Sequence, residues 1–166
     1  MNATEAISRL VSEPVRSSGL FSDATLVVPT TGASESQLRG VYAQVGRALS
    51  KSHASVLASW NGLDLEVIRL FGVPPVPSGI RSLTAWSAVP APSGWLAFGS
   101  DPAGFLYFED PEGTVHSFDH DGGTWTRIAP SLDAFISEIV FGPAAATFGG
   151  EKWLEALRNS GVVAAA

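Results

Sequence analysis

The chain has 166 residues, which is enough for about one domain with a core of its own, and 45% of them are apolar. Only 16% are charged, which excludes an intrinsically disordered chain and a coiled coil, because both need a larger charged fraction. The net charge is −6. Phosphate neutralisation supplies most of the affinity for nucleic acid, so we expect no nucleic-acid partner.

The cysteine content and the hydropathy of the sequence narrow the class of protein further. The sequence has no cysteine, which excludes disulfides, thiol catalysis and thiolate metal sites. The first residues carry neither the basic nor the apolar stretch of a signal peptide, and no run of about 18 apolar residues predicts a membrane span. We therefore expect a cytoplasmic protein without a membrane partner.

The first half of the chain predicts helices. Asn2 and Glu5 have the spacing of a capping box, which predicts a helix over residues 2–12. The β-branched run at residues 24–28 predicts a strand. A second capping box, Ser34 to Gln37, predicts a helix that continues to residue 49.

A third helix is expected to begin at Ser52 and to end at Asn61–Gly62, where either residue can adopt the left-handed conformation. Residues 65–71 predict extended structure. The following segment, Pro74 to Gly79, holds three prolines. Because proline lacks the backbone donor that a central strand needs, this segment predicts an exposed, irregular loop.

The second half predicts an antiparallel meander. Turn residues separate four short apolar segments, and the strands are expected at 95–99, 105–108, 115–118 and 125–128. Residues 105–108 are apolar throughout, as in a central strand that is covered on both faces. From the spacing on strands and helices we expect these side chains to be buried: Trp60, Phe98, Leu106, Phe108, Val115, Phe135 and Ile139.

The chain then returns to helix. Ser131 is expected to cap a helix that ends at Gly142–Pro143, and residues 151–158 predict a short last helix before a frayed end at 164–166. These elements predict an α+β fold, with a single domain over residues 1–142 and a C-terminal extension over 143–166.

Catalytic motifs are missing from the sequence, since it has no nucleophile elbow, phosphate loop or dinucleotide fingerprint. His116 and His120 could form a metal site with Asp119 and Asp121, but exposed hairpin histidines are the preferred interpretation. We expect no enzyme, no metal and no cofactor.

Acidic residues are concentrated in one stretch. Between Arg81 and Arg127 there is no Lys or Arg, and six acids account for the whole net charge of −6: Asp101, Glu109, Asp110, Glu112, Asp119 and Asp121. Such residues favour solvated turns, and they also create a negative field that attracts a basic partner. We predict that they form the partner-binding surface. In a meander, Asp101 and 119–121 would share one end of the sheet, and 109–112 would lie at the other end.

Several segments follow one another in a recognisable order. Residues 48–57, which hold the start of the third predicted helix, are followed by Trp60-Asn61-Gly62, and the other segments are 98–101 with 104–107, 113–115, and 128–132 with 135–136. In this order they resemble the SUKH superfamily, which has a helix with an Asn-Gly end and includes the Smi/Knr cell-wall-regulator family of fungi and many bacterial immunity proteins. The resemblance covers about residues 38–142. Ser50 stands where a proline is usual, and Phe105 replaces a typical aspartate.

This resemblance implies an α+β fold with one antiparallel sheet, and a protein that binds proteins. Bacterial members commonly neutralise a cognate toxin, often a nuclease, whose active site is basic because its substrate is a polyanion. An immunity protein against such a basic toxin domain is therefore the favoured hypothesis. Two alternatives remain open: a regulatory or scaffolding interaction module without a toxin partner, and a small-molecule or metal-binding protein or enzyme.

Overall fold

The structure is a computed structural model that describes residues 1–12, 30–84 and 89–163. The strand predicted at 24–28 and the frayed end at 164–166 lie outside the described residues. The helices are α1 (Ala3–Ser12), α2 (Glu35–Val45), α3 (Lys51–Ser59), α4 (Leu132–Ala134), α5 (Ala145–Gly149) and α6 (Glu151–Asn159), and α4 continues into a π-helical segment, Phe135–Val140. The strands are β1 (Leu63–Asp64), β2 (Arg69–Leu70), β3 (Leu96–Ser100), β4 (Leu106–Glu109), β5 (Val115–Asp119) and β6 (Thr124–Ala129).

The six strands form one antiparallel sheet in the order β1-β2-β3-β4-β5-β6. The predicted α+β class and the predicted meander are confirmed, and β3 to β6 begin and end within one residue of their predicted bounds. The extended stretch at 65–71 is shorter than predicted. Of this stretch only residues 69–70 form a strand, β2, which pairs with the two-residue β1 just before the stretch. The turn between β1 and β2 contains Glu66 at φ 65°.

Helices cover one face of the sheet, which we name the first face. Side chains from α1, α3, the π-helical segment and α6 form one apolar core with this face. β4 shows the alternation of a strand: Tyr107 points into that core, whereas Leu106 and Phe108 point to the opposite side. All four residues of β4 are buried, which confirms a central strand covered on both faces.

The opposite side, the second face, carries a smaller core beneath α2 and the segments beside the sheet. Val41 of α2 and Leu57 of α3 are buried in it with Phe108 and Phe118. The predicted capping box of α2 is present, because Gln37 donates its backbone N–H to Ser34 while its side chain accepts from the Ser34 backbone. These caps fix α2 over the second face.

Two helix bounds differ from the sequence prediction. α2 ends at Gly46, which adopts φ 74°, so residue 49 lies beyond the helix. α3 is capped by Ser50 and not by Ser52, since the Ser50 hydroxyl accepts the His53 N–H at 3.2 Å. Both serines satisfy the capping preference, and the sequence alone does not separate them.

The irregular loop at Pro74–Gly79 is confirmed: no strand forms there, and Pro75, Ser78 and Gly79 are exposed. Asn61 holds the start of this loop. Its side-chain amide accepts the Val73 N–H at 2.7 Å and donates to the Val73 carbonyl at 2.9 Å. Asn61 is buried. Its side chain therefore satisfies the backbone N–H and carbonyl of Val73, as a neighbouring strand would, in addition to following the end of α3.

Five of the seven expected core side chains are buried, whereas Trp60 and Ile139 are only partly buried. Ile139 is displaced by the π-helical segment, in which the Phe141 N–H bonds the Ile136 carbonyl five residues before it. This wider winding carries Val140 into the core in place of Ile139.

The C-terminal helices pack on the first face. Trp153 of α6 is buried and donates its indole N–H to the Val140 carbonyl at 2.7 Å. Leu157 belongs to the same core as Ile7 and Leu10 of α1. Among the described helices, none has both the length and the apolar character needed to cross a membrane.

Candidate functional site

The meander places the predicted acidic residues at the two ends of the sheet. Asp101 lies in the β3–β4 turn and Asp119 and Asp121 lie at the β5–β6 turn, so these turns meet at one end. The turns touch: a Cβ on Gly104 would lie 2.8 Å from Cε1 of His120. The β4–β5 turn, with Asp110 and Glu112, is at the other end.

At the first of these ends, two of the acids also hold the turns in shape. Asp101 accepts the Phe105 N–H at 3.0 Å and the Tyr107 hydroxyl at 2.8 Å. Burial raises the pKa of Tyr107, and the bond to Asp101 raises it further, so the hydroxyl stays a donor. Asp119 accepts the backbone N–H groups of Asp121 and Gly122 at 3.0 and 3.3 Å.

Asp121 is the freest carboxylate at this end. Its side chain is 89% exposed, and it pairs only loosely with His120, whose own side chain is 52% exposed. Asp101 and Asp119 are partly exposed. We name these three acids the hairpin-end cluster: Asp101, Asp119 and Asp121.

At the opposite end, Asp110 is engaged by its own turn. One oxygen accepts the N–H groups of Glu112 and Thr114, and the other lies 2.9 Å from Nε2 of His116. Burial would raise the pKa of Asp110, but the bonds from His116 and Thr114 outweigh it and lower the pKa. Glu112 is exposed and forms no ion pair with any residue that the structure describes. It is therefore the free carboxylate of this end.

Glu109 does not belong to either surface. It is 0% exposed, because it lies on the first face of β4 beneath the start of α3. A fully buried carboxylate cannot contact a partner, so Glu109 is corrected from a binding residue to an interior one. Asp110 is buried as well, with 9% of its surface exposed, so it offers little surface to a partner. The expectation for the other four acids stays a prediction.

The buried carboxylate of Glu109 is enclosed by a polar network. Arg47 donates to Oε1 at 3.1 Å and to the Glu109 carbonyl at 2.8 Å, and Ser50 donates its hydroxyl to Oε2 at 2.9 Å. His53 places Nδ1 3.3 Å from Oε2, without a well-directed hydrogen bond. Burial would raise the pKa of Glu109, but His53, Ser50 and Arg47 together lower it to about 2.

Arg47 also joins this network to the turn before β3, because its Nε donates to the Gly94 carbonyl at 2.6 Å. The network therefore links the α2–α3 connection to β4 and to this turn. This network was not among the features predicted from the sequence. The available signal was Glu109 directly after an all-apolar central strand, together with Arg47, Ser50 and His53 spaced three apart at a helix start.

Aromatic side chains extend the second face towards the open edge of the sheet. The Trp125 ring lies 4.6 Å from Phe118, 4.9 Å from Phe108 and 5.0 Å from Trp95, measured between centroids. His116 is 4.1 Å from Trp95. Trp95 and Trp125 are only partly buried, so the cluster forms an apolar shelf with access to solvent.

The histidines do not combine into one site. His116 is mostly buried against Trp95 and Asp110, which corrects the expectation of an exposed hairpin histidine, whereas His120 pairs with Asp121 at the other end. Within the ranges that the structure describes, no group of three or more metal-type side chains is arranged to hold an ion.

Comparison with protein families matches residues 32–138 to the SMI1 / KNR4 family (SUKH-1). That range contains α2, α3, the whole sheet and most of the π-helical segment. A search among curated proteins returns no match. The family is generally non-catalytic, and membership in it supports a protein-interaction or immunity-type role.

Proposed function

The chain belongs to the SMI1 / KNR4 family (SUKH-1), and from that premise we propose that it is an immunity protein that binds and neutralises a basic, nuclease-type toxin domain. The observation that carries the proposal is the distribution of charge. All six acids between Arg81 and Arg127 lie in a turn or at a strand end, and no Lys or Arg interrupts them along the sequence. Four of them reach the surface, since only Glu109 and Asp110 are buried.

Charge of this kind selects basic partners. Asp121 and Glu112 are exposed and have no Lys or Arg within salt-bridge distance among the described residues, so their field is not cancelled locally. A nuclease domain presents a positive surface to its polyanionic substrate. An acidic binder is steered to that surface, and its bound mass blocks access of the nucleic acid.

The test uses the C-terminal domain of the protein encoded by the adjacent reading frame. We expect the purified chain to bind this domain with 1:1 stoichiometry in a calorimetric titration and to abolish its nuclease activity at the same ratio. A matched control is the double variant Asp119→Lys and Asp121→Lys, which reverses charge on the exposed hairpin without touching the core. The double variant should bind more weakly at low salt.

Three outcomes separate the hypotheses. Binding with inhibition supports the immunity role. Binding without inhibition contradicts the toxin hypothesis and favours a regulatory or scaffolding module. The absence of binding to that domain contradicts the proposal for this genomic partner.

A further inference from the structure

We propose that β6 is a strand-addition site, at which an extended, basic segment of the protein partner pairs with the free edge of the sheet. This inference rests on the proposed function and names the surface that it uses. Addition of a strand supplies affinity through main-chain hydrogen bonds, and specificity through alternate side chains.

Among the described residues, no strand pairs with the outer edge of β6. In that part of the chain β6 is the last strand in the sheet order, and its one pairing partner is β5. Over the described residues, no backbone hydrogen bond outside that pair reaches any residue of β6. The opposite edge of the sheet is β1, which has only two residues. β6 has six, so it is the edge with room for a partner strand.

The first half of β6, residues 124–126, also lacks the features that protect such edges, whereas Arg127 and a register shift lie in its second half. Edge strands are usually guarded by proline, lysine, inward-pointing charge or a bulge along their length. The sequence Thr-Trp-Thr-Arg-Ile-Ala contains neither proline, lysine nor an acid. The one irregularity lies between Val115 and His116, at the far end, so residues 124–127 pair in regular register with 116–119. Every second residue of this four-residue segment therefore directs its backbone N–H and C=O to the free edge, and Thr and Trp favour strands.

The two faces beside this edge differ in chemistry. On the second face Trp125 is partly buried on the aromatic shelf, so an added strand would place an apolar side chain next to it. On the first face, the positions of Thr124 and Thr126 are exposed and polar.

The charged residues around this edge indicate which charge the partner strand carries. Asp119 ends β5 opposite Thr124, and Asp121 lies in the turn before β6, whereas Arg127 is the basic residue of β6 itself, three positions after Thr124. A strand that places Lys or Arg next to Thr124, towards Asp119 and Asp121, and an apolar residue next to Trp125 is complementary to this edge. The inferred partner segment therefore alternates basic and apolar side chains.

Amide hydrogen exchange of the labelled protein tests the assignment of β6 as a strand-addition site. In complex with the adjacent-frame toxin domain, the amides within residues 124–127 that point away from β5 should exchange at least about tenfold more slowly than in the free chain. Amides on the exposed side of α2, such as that of Tyr42, should be unchanged and serve as the internal control. Binding that leaves residues 124–127 unprotected overturns strand addition and leaves the immunity role intact.

If that domain does not bind, strand addition at β6 can still be tested with a peptide. A peptide of alternating Lys and Val should slow exchange at 124–127, and its counterpart with every second backbone nitrogen methylated should not, because methylation removes the pairing donors. Equal protection by an alternating Glu and Val peptide overturns the inferred charge. No protection by any of these peptides overturns the site.

A pair of variants adds a readout that does not depend on exchange. Thr126→Lys places a positive charge at the centre of the edge, and Thr126→Gln is the neutral control of similar length. The toxin domain, or the Lys–Val peptide where that domain does not bind, should dissociate about tenfold more readily from the Thr126→Lys variant at low salt. The Thr126→Gln variant should behave as the wild type. Equal binding by both variants would place the partner away from β6.

Discussion

At the scale of single residues, the buried carboxylate of Glu109 has the strongest structural role. Glu109→Gln should lower the free energy of unfolding by about 3–5 kcal/mol, because it removes one partner of a buried ion pair and leaves the charge of Arg47 uncompensated. Chemical denaturation measures this loss. The control is Glu112→Gln on the exposed turn nearby, which should change stability by no more than about 0.5 kcal/mol. Equal effects of the two variants would show that the network contributes nothing specific.

The same residue gives a pH dependence. Its pKa is lowered from an ordinary value of 4.5 to about 2 in the folded chain. A lowered pKa means that the stabilisation is complete above about pH 4.5 and is lost as the pH falls towards 2. The difference in stability between wild type and Glu109→Gln should therefore shrink by about 3 kcal/mol between pH 5 and pH 2. Denaturation curves across that range measure it, and a constant difference would contradict the assignment.

Residue roles were the least predictable part of the molecule. The sequence placed Glu109 among surface acids because carboxylates beside Gly and Pro turns are usually solvated. Its burial depends on Arg47 and Ser50, which are about 60 positions away in the chain and approach it only when α3 packs on the first face. Asn61 is a similar case, since its partners lie across a loop. Local patterns carry no information on such contacts.

At the scale of elements, the π-helical segment owes its position to Phe135. Its ring lies 5.8 Å from Phe98, 5.1 Å from Tyr107 and 5.7 Å from Phe148, measured between centroids. Phe135→Ala should cost about 3–5 kcal/mol of unfolding free energy, because the cavity opens in a fully buried site. Ile139→Ala, at a partly buried position of the same segment, should cost clearly less. Equal losses in thermal or chemical denaturation would contradict the winding described above.

A second element-scale prediction concerns α6. Trp153→Phe keeps an aromatic ring but removes the donor to the Val140 carbonyl, and an unsatisfied buried carbonyl costs about 1–3 kcal/mol. Leu154→Ala, on the partly buried side of α6, is the control for general weakening of the helix. If Trp153→Phe unfolds as the wild type does, the bond does not hold α6 on the sheet.

The packing of α6 bears on the extent of the domain. Trp153 and Leu157 share a core with α1, so a chain that ends at residue 142 should unfold at a lower denaturant concentration than the full chain. Identical midpoints would support the boundary predicted at residue 142.

Elements with strong local signals were predicted well. The turns with Asp, Pro and Gly fixed the meander, and the capping box fixed the start of α2. The π-helical winding was not predictable, because its sequence has the spacing of an ordinary helix and only the packing of Phe135 and Val140 favours the wider turn. The two-residue strands β1 and β2 depend in the same way on tertiary pairing with β3.

At the scale of the whole molecule, charge is the property that joins fold and proposed function. The net charge of −6 comes from one stretch, and the meander divides that stretch between two ends of the sheet. Long-range attraction between an acidic face and a basic partner raises the rate of association and is screened by salt. Exposed charges contribute little to folding, about 0–1 kcal/mol each, so binding and stability respond to different residues.

The most direct test of the central claim is the association rate of the adjacent-frame toxin domain, measured by stopped flow between 0.01 and 0.1 M salt. The Debye length falls from about 30 Å to about 10 Å over this range. We expect the wild-type rate to fall steeply with salt, and Asp119→Lys with Asp121→Lys to slow association more than it speeds dissociation. Asp121→Lys alone keeps the turn bonds that Asp119 accepts, so it should slow association at unchanged stability. An association rate that is independent of salt and equal in wild type and variants would contradict this expectation.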